Sequence, residues 1–215
     1  MSDTPNTPLL SARDLQVRFG GVLAVNGVSF DVRRGEVFTL IGPNGAGKTT
    51  VFNLISRIYT PTAGTIDFNG VSLTSTPAHR VAELGIARTF QNIELFEYAT
   101  VLQNLLIGHH VHRSTGFWSE LFFTGAARKA EVQAREAVER VIEFLDLQHH
   151  RDSLVAGLPY GVRKVVELAR ALCTQPKLLL LDEPSSGLNV EETDDMAFWI
   201  QDIKNDLGIT VLMVE

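Results

Sequence analysis

The chain has 215 residues, of which 45% are hydrophobic and 20% charged, with a formal net charge of -6. That composition can bury one full core with a smaller lobe beside it. The acidic balance speaks against a broad nucleic-acid surface, which depends on many Lys and Arg contacts to phosphate. No apolar run approaches the ~18 to 20 residues of a membrane-crossing helix. The one cysteine, Cys173, cannot staple a fold, which fits a reducing cytosol, and its apolar neighbours make it a buried filler.

Residues 1–8 are polar, lack the pattern of a secretory signal and are expected to form a disordered tail. Residues 9–70 read as strand-rich, with β-type runs at 14–19, 27–32 and 36–41 separated by Gly20-Gly21 and Arg33-Arg34-Gly35. A further strand at 65–68 ends on Asn69-Gly70, a hairpin signal. The character changes over about 100–150. Between 126 and 147, Ala130, Ala134, Ala137, Val138, Val141 and Leu145 recur at the three- and four-residue steps of one helix face, marking a helical lobe. The last region returns to α/β: a helix over 162–174, a break at Pro176, an apolar strand at 177–181, a helix over 193–204 and a strand at 210–214.

Between the strand at 37–41 and a helix at 50–58 stands Gly42-Pro43-Asn44-Gly45-Ala46-Gly47-Lys48-Thr49-Thr50, which fits the phosphate-loop pattern of Gly, four residues, Gly, Lys and Ser or Thr. Glycines allow the positive φ and the close approach by which backbone N–H groups converge on phosphate oxygens, and the helix N-terminus adds partial positive charge. Lys48 supplies a mobile ammonium, and the Thr49 hydroxyl a ligand for Mg²⁺. Downstream, Leu178-Leu179-Leu180-Leu181-Asp182-Glu183-Pro184 is a strand that buries itself and carries two carboxylates to its end. Asp182 suits Mg²⁺, directly or through water, and Glu183 is placed to polarise an attacking water.

Strand-Asp-Glu-Pro, with the helix start at 158–172 before it and Ser185-Ser186-Gly187-Leu188-Asn189 after it, resembles the ABC ATPases over nearly the whole chain. Within them, Phe19-Gly20-Gly21-Val22-Leu23-Ala24-Val25-Asn26, Ile86-Ala87-Arg88-Thr89-Phe90-Gln91 and Gly187-Leu188-Asn189 resemble the ATP-binding subunits of branched-chain amino-acid importers. The resemblance implies an α/β fold: a P-loop core with a mixed or parallel sheet, an antiparallel β subdomain and an inserted helical subdomain. Residues 9–215 then form one ATP-binding domain, with 9–95 and 158–215 as core and about 96–157 as helical subdomain. It makes Phe19 the aromatic that stacks on adenine, a strand-end core Phe being the other reading. It makes Gln91 the amide that reaches Mg²⁺ and the attacking water, against a surface loop amide. The catalytic set is then Glu183, Gln91 and Lys48, and the metal set Thr49, Gln91 and Asp182.

Two departures from the family pattern carry expectations. The family's signature, Leu-Ser-Gly-Gly-Gln, binds the γ-phosphate held by the opposite subunit. Here it is Leu158-Pro159-Tyr160-Gly161-Val162. Pro159 has neither hydroxyl nor N–H to offer, and the Val162 side chain cannot hydrogen-bond, so a weaker clamp is expected, although Gly161 and the helix dipole remain. In the family a strand such as 210–214 runs on into a switch histidine, whereas this chain stops at Glu215. A shortened or fragmentary domain, missing its C-terminal part and binding ATP with poor hydrolysis, is the expectation.

The resemblance implies a subunit that binds and hydrolyses ATP with Mg²⁺ and powers an importer of branched-chain or other hydrophobic amino acids. It would pair as a homodimer, or as a heterodimer with a related ATP-binding subunit. Transmembrane permease subunits would hold it at the cytoplasmic face of the inner or plasma membrane, with no nucleic acid among its partners. An ATP-dependent dimerisation switch without hydrolysis is the alternative, favoured by both departures. A soluble ABC protein acting on ribosomes or DNA fits poorly with one nucleotide-binding domain and an acidic surface. The apolar stretch 93–107 could form core or, by resemblance, part of a groove for a permease helix. The aromatic segment 117–123 could pack inside the lobe or form an exposed patch. His109, His110, His112, His149 and His150 lack companions that would complete a metal set and read as solvated helix ends.

Overall fold

The computed structural model describes residues 7–90, 93–109 and 125–215, the side chains of 125–130 excepted. These form two compact units. One comprises, of the described residues, 7–88, 177–184 and 197–215, and the other 89–90, 93–109, 125–176 and 185–196.

In the first unit, β1 (Leu10–Phe19) and β2 (Val22–Val32) form an antiparallel hairpin turned by Gly20-Gly21, with Phe19 opposite Val22 and Leu10 opposite Val32. β1 alternates as a half-buried strand should: Leu10, Ala12, Leu15 and Val17 are buried, the pattern shifting by one at a bulge around Asp14. β4 (Ala63–Phe68) pairs with β1, and β5 (Val71–Ser72) returns through the Asn69-Gly70 turn, giving the order β2-β1-β4-β5. Among the described residues the second sheet is parallel, in the order β3-β8-β7-β6, with β3 (Val37–Leu40), β6 (Ile86–Arg88), β7 (Leu178–Asp182) and β8 (Thr210–Val214). Every residue of β7 is buried, as a parallel strand flanked on both sides and covered on both faces requires, which explains a leucine run without alternation. Phe52, Leu54 and Ile55 of α1 (Lys48–Ile55) pack into one core with Leu178, Leu180, Leu212 and Val214 of the parallel sheet and Leu10, Leu15, Ile66 and Phe68 of the antiparallel one. That shared core seats α1 on the sheet whose strand end carries Asp182.

The second unit is helical, with α2 (Val101–His109), α3 (Gly125–Phe144) and α4 (Tyr160–Leu172) packed on one another. The sequence reading drew the helical subdomain to residue 157. The structure groups α4 with the helices because its buried side, including Val165, Val166 and Leu168, belongs to a helix that packs on α2 and α3. In and just after α3, Ala134, Val138, Ile142 and Leu145 are buried at steps of four, four and three, so Ile142 rather than Val141 completes the inward stripe. α5 (Val190–Asn205) starts three residues before the expected position. Asn189 and Glu192 explain this by a reciprocal cap: Glu192 N–H donates to Asn189 Oδ1 at 2.9 Å, and Asn189 N–H to Glu192 Oε2 at 3.0 Å. Residues 1–6 of the expected tail lie outside the described residues, while Leu9, next to it, is fully buried.

Asn104 is a polar residue with no exposed surface inside this unit. Its amide donates to the carbonyls of Phe96 and Thr100 at 3.1 and 3.0 Å, and its Oδ1 accepts the Phe96 N–H at 2.9 Å. It thereby gives the Phe96 N–H its acceptor and adds a second donor to two carbonyls that already accept the N–H groups of Ala99 and Asn104. Replacing Asn104 by Ala removes three side-chain hydrogen bonds and leaves the Phe96 N–H without this acceptor, which is expected to lower unfolding free energy by about 1–3 kcal/mol, read from urea denaturation of the purified protein.

Candidate functional site

The loop between β3 and α1 is a phosphate cradle in its backbone as well as its sequence. Gly45 and Gly47 take φ of 83° and 86°, and Ala46 N–H closes a turn on the Pro43 carbonyl at 3.1 Å. Gly47 caps α1 without a side-chain bond, and no acidic residue stands in the first turn, so the first amides of the helix have no competing acceptor there. A cavity of about 200 Å³ is lined by loop residues 43–50, Ala24 and Glu183. The β2 residue Ala24 fixes the loop's close approach: a Cβ at Gly47 would lie 2.5 Å from the Ala24 carbonyl oxygen. Lys48 Nζ donates to the carbonyl of Gly42 and, at 3.4 Å, to that of Pro43, which folds the ammonium back over the loop. Convergent amides, a helix N-terminus and one ammonium make an anion site.

β7 delivers Asp182 and Glu183. The Asp182 side chain is 1% exposed, and its Oδ2 accepts from Arg88 Nη2 at 2.8 Å. Its Oδ1 is buried without a hydrogen-bond partner among the described residues. A buried carboxylate oxygen in that state demands a cation or a water. Carboxylate and hydroxyl oxygens such as those of Asp182 and Thr49 are the donor chemistry that hard Mg²⁺ takes, so the residues present fit such an ion. Glu183, half-buried in the cavity wall, holds φ of 49°, and its N–H donates to the Val214 carbonyl at 3.0 Å. A non-glycine residue in this region costs of order 1–3 kcal/mol and is held there only when its surroundings enforce it.

Phe19 is 44% exposed, which does not fit a strand-end core residue, and its ring meets Tyr59 edge-on at 4.9 Å. Gln91 lies outside the described residues. The signature residues sit at the start of α4: Leu158 is half-buried, Pro159 is the exposed N-cap without a side-chain bond, and Tyr160, Gly161 and Val162 open the helix. Tyr160 Oη donates to the Ser186 carbonyl at 3.3 Å, and a Cβ on Gly187 would reach 2.9 Å from the Tyr160 ring. On its other side Gly161 lies against the Glu192 carboxylate so closely that a Cβ would collide with it. Signature and loop 185–189 are therefore packed together. Farther along α4, Glu167 accepts the Phe90 N–H at 3.1 Å, beside Gln91 in sequence, and burial raises the proton affinity of its carboxyl, partly offset by that bond.

Arg88, Ala24, Glu167, Tyr59 and Glu192 were not read from the sequence as site residues. Only Glu192 had a local signal, the Asn189-x-x-Glu192 spacing of a capping box. Burial pushes the Cys173 thiol up to about 12, consistent with a filler. His109 Nδ1 lies 3.1 Å from the Cys173 carbonyl oxygen, and among the described residues no three His, Cys, Asp or Glu side chains form a metal cluster. His110, His112 and the aromatic segment 117–123 lie outside the described residues.

Cradle, helix and strand-borne carboxylate pair define a P-loop nucleotide-binding domain. The family model described as ABC transporter matches residues 25–186, and the chain belongs to that family as an ATP-binding cassette. BraF of Pseudomonas aeruginosa, a high-affinity branched-chain amino acid transport ATP-binding protein, is 42% identical over 208 residues, 97% of this chain and 82% of that protein. LivG of Salmonella typhimurium, with the same description, matches equally. A nucleotide-free ATP-binding cassette from an ABC transporter superposes with a TM-score of 0.82 at 33% identity over 97% of this chain and 81% of that one. The ADP conformation of the cassette MJ1267 gives a TM-score of 0.83 at 31% identity over 98% and 82%.

Gly47→Ala puts a methyl group against Ala24 and an L side chain at positive φ. ATP affinity is expected to fall about ten- to a hundredfold, from a penalty of ~1–3 kcal/mol, with far-UV circular dichroism unchanged. Titration with a fluorescent ATP analogue measures it.

Proposed function

We propose that this cassette is the ATP-hydrolysing subunit of an importer for branched-chain or other hydrophobic amino acids. The observation that carries the reading is the meeting of Glu183 with the phosphate loop in one cavity, with Asp182 beside it on β7. The relatives' transport of branched-chain amino acids supports the substrate class.

In this reading the amides of residues 43–50 and the Lys48 ammonium bind the β- and γ-phosphates, and Phe19 stacks on adenine. Thr49, Asp182 and Gln91 would hold Mg²⁺, which would neutralise phosphate charge. Glu183 orients water and takes its proton, and its strained backbone keeps the carboxylate at the cavity wall. Leu158 to Val162 meet the ATP held by a second copy or a related subunit. Their clamp is weak, because Pro159 offers neither hydroxyl nor N–H and the Val162 side chain cannot hydrogen-bond, and this limits turnover. A wide apolar depression of about 560 Å³ lined by Phe96, Tyr98, Leu106 and Ile107 receives a helix of the permease. That partner places the subunit at the cytoplasmic face of the membrane; among the described residues no helix is long and apolar enough to cross one.

Glu183→Gln is the direct test. In the subunit assembled with its permease, the variant is expected to bind ATP normally, to lose about a hundredfold or more in hydrolysis, and to stop uptake of labelled leucine into vesicles. Turnover equal to wild type would instead assign the chain to the dimerisation-switch class. A second experiment tests the weak clamp: Pro159→Ser with Val162→Gln should raise turnover of the assembled transporter up to about tenfold, one or two recovered hydrogen bonds. Unchanged turnover overturns the weak clamp.

A further inference from the structure

Arg88 has no part in the mechanism above, yet it touches its most buried carboxylate. The side chains of Arg88 and Asp182 are 8% and 1% exposed. The guanidinium divides its donors: Nη2 bonds Asp182 Oδ2 at 2.8 Å, while Nη1 bonds Asn53 Oδ1 at 2.7 Å and Ser56 Oγ at 3.3 Å. Its Cζ lies 5.6 Å from the Phe52 ring centroid, which braces its plane.

Three features separate this from an ordinary structural ion pair. First, an Arg that only neutralises a carboxylate gains most by engaging both oxygens, and this chain does so elsewhere: Arg13 Nη2 lies 2.7 Å from both Oδ1 and Oδ2 of Asp31. Arg88 takes one oxygen of Asp182 and leaves the other buried and unpartnered. Second, the other half of the guanidinium is fastened to α1, and Asn53 and Ser56 follow Thr49 by four and then three residues, which puts all three on one face of that helix. Third, a buried ion pair is a poor source of stability, since well-packed apolar residues serve as well, so geometry is what it supplies.

We propose that Arg88 is a positioning residue for the metal: it holds Asp182 in the rotamer that keeps Oδ1 free, and ties that carboxylate to the helix face bearing the Thr49 hydroxyl. The proposal rests on the reading that Asp182 serves Mg²⁺. Lysine cannot replace Arg88, because one ammonium lacks the planar fork that reaches a carboxylate and an amide in opposite directions.

The test is the Mg²⁺ dependence of nucleotide binding in the full chain: Mg²⁺ is titrated at fixed fluorescent ATP analogue, and affinity in EDTA is measured alongside. Asp182→Asn, Arg88→Met, Arg88→Lys and Asn53→Ala are compared with wild type. Asp182→Asn and Arg88→Met should each shift Mg²⁺ half-saturation upward about tenfold with EDTA affinity unchanged, and the double variant should match Asp182→Asn. Arg88→Lys and Asn53→Ala, which preserve a cation beside Asp182 or the ion pair itself, should shift it several-fold. Should Arg88→Met not fold, these last two decide. If Asp182→Asn leaves the Mg²⁺ curve in place, the reading of Asp182 is wrong. If Asp182→Asn moves it and Arg88→Lys and Asn53→Ala do not, the Asp182 reading stands and the role given to Arg88 is overturned. A lower melting temperature with an unmoved Mg²⁺ curve is the outcome of a purely structural Arg88.

Discussion

Burial of β7 is the constraint on which the site depends. A strand hydrogen-bonded on both sides and covered on both faces has no freedom to slide or twist, so the first polar residue at its end is placed as firmly as the leucines before it. Asp182 is that residue, paired in register with Val214, and Glu183 is turned into positive φ by the N–H bond it makes to the same Val214 carbonyl. The strand's apolar length thus has a chemical purpose: it converts hydrophobic packing into positional accuracy for two carboxylates. α1 uses the same core through Phe52, Leu54 and Ile55, so the phosphate loop and the carboxylates are referenced to one packed body.

The parts legible in the sequence are those whose physics is local. A phosphate loop is contiguous because it is a turn running into a helix, and the Asp182-Glu183 pair announces itself because four buried leucines precede it. The strand at 210–214 and the Asn69-Gly70 turn were readable for the same reason. The β6 strand was not: three residues carry no periodicity, and β6 exists only because β7 offers an edge to pair with. Arg88 was hidden by distance, its carboxylate partner lying 94 positions away. Asn104 carries no local signal of its role, because the loop groups it bonds are brought around it only by the fold. The helical stripe of α3 was drawn one residue off because a period of 3.6 drifts from integer steps, and Ile142 lies where the drift leads.

Family membership and site geometry bear on different questions. The similarity to BraF and LivG spans nearly the whole chain and speaks to the machine in which such cassettes work. The geometry speaks to individual atoms, and there the chain shows its own character. Its signature turn opens on a proline, the buried Asp182 carboxylate is held by an arginine anchored to α1, and the exposed Phe19 ring rests on Tyr59. Details of this kind tune affinity and rate while the shared chemistry stays the same.

The packing of Tyr160 over Gly187 and of Glu192 against Gly161 links two stretches of chain more than two dozen positions apart. Neither can vary freely. A side chain at 187 requires a smaller residue at 160 and still bears the strain of a φ of 81°, and one at 161 requires the capping carboxylate of α5 to withdraw, uncapping that helix. Mutational paths through this part of the protein therefore run in pairs, and a chimera that imports a foreign signature turn must import residues 185–192 with it.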